Sequence, residues 1–295
     1  MIQTQACDAS AVSEQASALR GGFDPVSVAL RALVWAAALL VTGVFVWLVG
    51  YIVIKGLPRL SPQLFEWEYS TENVSMLPAI VITVLMVVLA LLFAAPAGMG
   101  AAIYLVEYAR RGNPLVSLVR LTTESLAGIP SIVYGLFGFL LFVVACGMGF
   151  SILGGALTLA VMVLPLIMRT TEESLKSVPD NWREGSFALG AGRLRTIFRV
   201  VLPAAVPGIL SGVILSIGRI VGESAALLYT AGTVAAMPES LLSSGRTLSV
   251  HMYALLSEGL YVNEAHATAL VLLIVVLLIN FASSAVAALL VRERS

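Results

Sequence analysis

Arg219 and Glu223 stand four residues apart in ILSIGRIVGESAALLYTAG, residues 214–232, an otherwise apolar run. A charged side chain at a bilayer centre costs about 2.5–3.5 kcal/mol on insertion scales, so neither charge is there by default. Arginine suits bidentate recognition of phosphate or carboxylate. Two chemistries fit: an ion pair that braces a helix bundle, or an anion site in which Glu223 holds the guanidinium. On a helix, Gly212, Ser216, Arg219, Glu223, Ala226 and Thr230 share one small, polar face. That face favours the anion site, with Arg219, Glu223 and Ser216 lining a path. Gly218 and Gly222 are expected to allow close helix approach. Arg169, in LPLIMRTTEESL, reads by itself as an anchor that snorkels to headgroups. Asn280 reads as an interhelical hydrogen-bonding group.

The elements that must hold these residues are membrane helices. Of 295 residues, 59% are hydrophobic and 12% charged, about half the charge of an ordinary soluble domain. Net charge is zero, which gives no bulk basic signature for nucleic acid. Six runs are long and apolar enough to span a bilayer: roughly 32–54, 77–106, 115–146, 152–168, 204–230 and 265–290. Thirteen of the 17 Lys and Arg fall on one side of these spans, Lys55, Arg59 and Arg246 on the other, and Arg219 within. The positive-inside rule then puts both termini in the cytoplasm. Residues 1–24 lack an early basic cluster and read as a polar cytoplasmic tail, not a signal peptide. Cys7, Cys146, His251 and His266 are isolated, so no metal site is expected. The outer loop 231–264 contains HMYALLSEGLY, a candidate short helix.

The basic loop over 169–203 is the most informative segment. Pro179 stops a helix and Asp180 can cap the next. Phe187, Ala191, Leu194, Phe198 and Val201 then recur as one apolar stripe. Gly190 and Gly192 allow a hinge between two short helices. Such an element could lie on anionic lipid. Its detailed spacing instead resembles the EAA signature of ABC importer permeases, Glu-Ala-Ala, x3, Gly, x9, Ile-x-Leu-Pro. Glu184, Gly190, Leu202 and Pro203 match, Gly185-Ser186 replaces Ala-Ala, and Val200 replaces Ile. A short helix held between two spans is a lever, and a partner that moves it must move both spans.

PSIVYGLFGF (130–139), MRTTEESLKSVPDNWREGSFALGA (168–191) and GRIVGESAALLYTAG (218–232) together resemble the PstA family, permease subunits of bacterial phosphate-specific ABC transporters. The resemblance implies an all-α integral membrane protein of six transmembrane helices with the type I ABC importer (MetI-like) permease fold, in the bacterial inner membrane. Residues 25–75 would form a first helix and external loop. Residues 76–295 would form the ABC transmembrane domain, with a coupling loop over 171–203. The implied partners are a second permease, PstC, two copies of the ATPase PstB, and the phosphate-binding protein PstS. ATP and magnesium belong to the ATPase, since this chain has no GxxxxGK[ST] loop, and no cofactor is expected here. The resemblance also moves Arg169 from anchor to candidate path residue. Phosphate carries about −1.5 to −2 charge near neutral pH, and a path for it needs positive charge that does not trap it. Glu223 is expected to neutralise Arg219 at rest, with the anion competing for it. Permeation of another oxyanion (molybdate, sulfate or phosphonate) on the same fold, and proton-coupled secondary transport, are the alternatives.

Overall fold

A computed structural model describes residues 25–110 and 112–292. The expected 1–24 tail lies outside them, as do Arg111 and Arg294. Two units are present, one ending at Ile54 and the other starting at Lys55. The first consists of most of α1 (Pro25–Gly56), which turns Trp35, Leu39, Phe45 and Trp47 outward with no buried apolar side. A helix apolar all round belongs in lipid.

Among its described residues the regular elements of the second unit are all helices or helical turns. After two short turns at Leu57–Arg59 and Pro62–Phe65 come α2 (Leu77–Ile103), α3 (Pro114–Ala127), α4 (Ser131–Gly138), α5 (Ile152–Lys176), α6 (Asp180–Ala188), α7 (Arg193–Thr196), α8 (Leu202–Val221), α9 (Ala225–Thr230), α10 (Leu248–Glu258) and α11 (Val262–Arg292). Wider, π-type turns extend α2 through Tyr104–Tyr108, extend α4 through Phe139–Ala145, and lead into α8 through Ile197–Val201. Pro78 and Pro203 sit in first turns, where a missing N–H costs nothing. Asn113 and Ser151 cap α3 and α5 with their side chains. Pro96, Pro165 and Pro207 lie inside helices, as bundles tolerate where neighbours compensate.

Among the described residues five helices are long and apolar enough to cross a membrane, and a sixth span arises if α3 and α4 count as one. That pair bends by 106° at Gly128–Pro130, so the expected run 115–146 is not one straight helix. Pro130 restricts Ile129 to extended backbone and forces the break. The Tyr134 hydroxyl donates to the Leu126 carbonyl at 2.8 Å and ties the two arms together.

The core lies where α2, α5, α8 and α9 meet, around Ile82, Met86, Leu159, Val163, Ile167, Ile220 and Leu227. Glycines set the closest contacts. A Cβ on Gly212 would fall within 1.9 Å of the Thr170 hydroxyl, and one on Gly208 within 2.2 Å of the Ser174 hydroxyl. Gly135 lies against the Ala226 backbone and joins α4 to α9. At Gly218 and Gly222, the glycines expected at a close contact, an added Cβ would meet no other helix within 4 Å except Asn280 Oδ1, at 4.0 Å from a Cβ on Gly218. Close approach occurs earlier on α8, at Gly208 and Gly212, where α5 offers hydroxyls that fit against a bare backbone.

Candidate functional site: arginines along the α5–α8 seam

The GRIVGES stretch does not form one helix. α8 ends at Val221, Gly222 turns, and α9 begins at Ala225. Glu223 is therefore not one turn above Arg219. Its Oε1 accepts from the Ala226 N–H at 3.1 Å and caps α9, and its carbonyl accepts from the Ser249 hydroxyl. The expected Arg219–Glu223 pair does not form: among the described residues Arg219 makes no ion pair. The physical reason is the orphan N–H groups at the start of α9, which a nearby carboxylate satisfies.

Arg219 occupies the last turn of α8, half-buried, within electrostatic range of Tyr134 on α4. The free carbonyls of a helix C-terminus favour a cation there. Ser216 is fully buried, and its hydroxyl donates to the Gly212 carbonyl at 2.8 Å. Within this chain the Ser216 hydroxyl is therefore spent on its own helix. Asn280, expected in an interhelical hydrogen bond, makes none among the described residues and instead borders a cavity of about 440 Å³ with Ser211, Gly218 and Ser284.

Arg169 lies on α5. It is exposed and pairs with Glu173 one turn on, Nε to Oε1 at 3.0 Å. It borders a pocket of about 120 Å³ that also holds Arg120, Glu124, Glu172 and Lys176. Glu172 Oε1 meets Arg120 Nε at 2.7 Å and Lys176 Nζ at 2.6 Å, so cations and carboxylates balance around this end of α5. The facing pairs Gly208–Ser174 and Gly212–Thr170 fix an antiparallel register that sets Arg169 level with residue 213. Arg219 is six residues further, about 9 Å along the axis at 1.5 Å per residue. The two arginines stand at different depths along one seam. An open groove of about 370 Å³ is edged by Thr170, Ser174, Ser211 and Gly212.

The hairpin over 180–201 has the expected two short helices. Gly190 takes φ +82°, the left-handed conformation a hinge residue needs, whereas Gly192 does not. Asp180 starts α6 but caps nothing, and its Oδ1 accepts from Arg183 Nη1 at 3.2 Å. Glu184, Gly185, Ser186, Gly190 and Leu202 are exposed or half-buried, and so is Pro203. Leu189, Leu194, Phe198 and Trp182 face outward, an apolar fringe on a basic element.

Residues 94–295 match the family described as "Binding-protein-dependent transport system inner membrane component". The chain belongs to that family. It is 34% identical over 265 residues to the "Probable ABC transporter permease protein YqgI" of Bacillus subtilis, covering 83% of this chain and 90% of that one. It is 39% identical over 204 residues to the "Phosphate transport system permease protein PstA" of Yersinia pestis, covering 68% of each. The likeness to PstA permeases expected from the motifs is borne out. Among solved structures, a bacterial ABC transporter for alginate import aligns at TM-score 0.60 and 19% identity over 88% of this chain and 97% of that one. The MetNI methionine transporter aligns at 0.55 and 21% over 73% and 94%. These show the MetI-like fold, and the chain is a multi-pass inner-membrane permease of it.

Sequence reasoning overlooked Glu107, Arg183 and Arg193 of this permease. Arg183 Nη2 and Nε donate to Glu107 Oε1 at 2.9 and 3.2 Å, Nη1 to the Val178 carbonyl at 2.7 Å, and Nη2 to the Leu175 carbonyl at 2.9 Å. Arg193 lies over the Tyr108 ring at 5.6 Å. One signal was available: Glu107 is the sole acid between Glu72 and Glu124, at the end of an apolar run, where an unpaired carboxylate has no other use.

Proposed function

We propose that this chain is the transmembrane permease subunit of an ATP-driven importer of inorganic phosphate, forming half of the translocation path. The observation that carries the reading is Arg219: a guanidinium inside a span with no carboxylate partner among the described residues. An oxyanion is the ligand such a group is built to meet. Relatives named as phosphate permeases support phosphate as that oxyanion.

In this reading phosphate passes Arg219 first and Arg169 second. Arg219 attracts it without a competing carboxylate. Arg169 is already engaged by Glu173, so the anion holds it only by displacing that carboxylate and is readily displaced in turn. Weak, replaceable contacts are what permit exit. The competition first assigned to Glu223 at Arg219 thus belongs to Glu173 at Arg169. Both termini and the hairpin face the cytoplasm, as the basic residues argue. The hairpin, with Glu184, Gly185, Ser186, Gly190, Leu202 and Pro203, docks on a separate ATPase that binds ATP and magnesium. A second permease, PstC, completes the path, two PstB copies supply the hydrolysis, and PstS delivers phosphate.

The test is phosphate uptake in cells or proteoliposomes carrying Arg219→Gln, with assembly checked by co-purification of the ATPase and the second permease. Uptake at least tenfold below wild type in an assembled complex is expected. Normal uptake removes Arg219 from the path. Uptake abolished equally well by excess molybdate or sulfate would shift the substrate to another oxyanion.

A further inference from the structure

We propose that the Tyr104–Tyr108 turn at the end of α2 is a third attachment of the hairpin, with Arg183 and Arg193 as positioning residues that carry the motor's stroke into α2 as well as into α5 and α8. The proposal rests on the reading of the hairpin as the ATPase dock.

Two contacts from different helices converge on this one turn. Arg183 of α6 grips Glu107, and both side chains are largely buried, 13% and 9% exposed. Every guanidinium nitrogen of Arg183 has an acceptor: Glu107, Asp180 and the carbonyls of Leu175 and Val178. Arg193 of α7 covers Tyr108, which stacks with Tyr104 at 6.4 Å and 8°. The hydroxyls of Ser186 and Thr196, 2.8 Å apart, join the two hairpin helices. The hairpin thus holds the turn from both of its halves.

Displacing the hairpin while α2 stays still would pull Arg183 off Glu107 and leave a buried carboxylate without its cation, a costly way to break such a pair. Moving the turn with the hairpin breaks nothing. The turn is itself a wide π-type turn, a geometry that marks bends and functional joints in helices. From there α2 reaches the path. Gly98 packs so closely on α5 that a Cβ would come within 3.0 Å of Ile167 Cγ2 and 3.3 Å of the Met168 nitrogen, and Arg169 is the next residue. A stroke entering at Glu107 therefore arrives beside Arg169 through α2, a route separate from the direct one along α5.

The alternative is a static brace, which would affect assembly alone. The two are separated by the ATP hydrolysed per phosphate imported, measured on the complete transporter in proteoliposomes with its phosphate-binding protein. Glu107→Gln and Arg193→Ala are each expected to raise this ratio several-fold in complexes of normal subunit composition, with Tyr108→Phe unchanged because the ring remains. Uptake and hydrolysis falling together, at a constant ratio, would overturn the proposal. If Glu107→Gln does not assemble, Arg193→Ala at its exposed site still decides. A second measurement does not depend on the substrate. In a Cys7→Ser, Cys146→Ser background, Tyr108→Cys and Arg193→Cys are bridged by a short bis-maleimide. Hydrolysis preserved in the bridged complex is expected if hairpin and turn move as one; arrested hydrolysis would show that they slide and would sink the attachment. A wild-type complex that hydrolyses ATP but imports no phosphate would defeat the substrate reading and leave the bridging result to judge the attachment.

Discussion

The permease buries an arginine at each of two ends and treats them in opposite ways. At the hairpin end Arg183 is saturated by two carboxylates and two backbone carbonyls. At the far cap Arg246 is 5% exposed, its Nε and Nη2 have no hydrogen-bond partner among the described residues, and its contact is the Tyr69 ring at 4.9 Å. His251 stands edge-on to the same ring at 6.3 Å, and among the described residues neither of its nitrogens has a partner of hydrogen-bond geometry. A saturated cation specifies position, because any shift loses several bonds together. A cation held by a ring face specifies little beyond proximity. The difference teaches where rigidity lies: the hairpin joint is locked by geometry, the far cap by packing.

Glu107→Gln tests the contrast most severely. It should lower stability by about 1.5–3 kcal/mol, the worth of hydrogen bonds to charged groups, and a melting measurement in detergent would read it. Arg246→Met should have the opposite sign. Removing a buried cation that has no carboxylate partner among the described residues should leave the fold unchanged or more stable, by up to about 2 kcal/mol once the lost ring contact is offset. A large destabilisation there would dissolve the distinction between the two ends.

Acid should act on the far cap. Burial first, and then the Arg246 charge, push the His251 imidazole down to about 3, with the Val74 backbone offsetting only part. The unfolded chain binds this proton near pH 6.5, the folded one not until about pH 3, so stability is lost as pH falls through that window. The loss should reach about 2 kcal/mol between pH 7.5 and pH 5. His251→Phe should flatten the profile, and an unchanged profile would mean that another group sets it. The smallest effect belongs to Glu173→Gln. The Arg169–Glu173 pair is exposed on both sides, 59% and 63%, so melting should not change measurably, while maximal uptake should fall about two- to fivefold as phosphate lingers on a freed Arg169.

Much of this molecule was legible in residue order because much of it is set locally. Apolar runs gave the spans, and Pro179, Gly190 and the Phe187–Val201 stripe gave the hairpin. HMYALLSEGLY gave α10. What stayed hidden depends on partners distant in sequence. The break at Gly222–Ser224 looks helical by periodicity, but Gly222 ends α8 and the Glu223 side chain caps α9. Arg246 sits in the polar stretch SSGRTLS and is buried by Tyr69, 177 residues earlier in numbering. Arg183 and Glu107 are 76 residues apart, and no spacing rule connects them. Arg169 and Arg219 were both visible as candidates; their separation in depth required the register of α5 on α8.

That register has its own consequence. Gly208 and Gly212 receive Ser174 and Thr170 so tightly that neither helix can rotate or slip past the other without backbone meeting side chain. On the proposed function, the two guanidiniums would travel as fixed points on one rigid plank, and the passage would open or close by how that plank tilts against the wall opposite it.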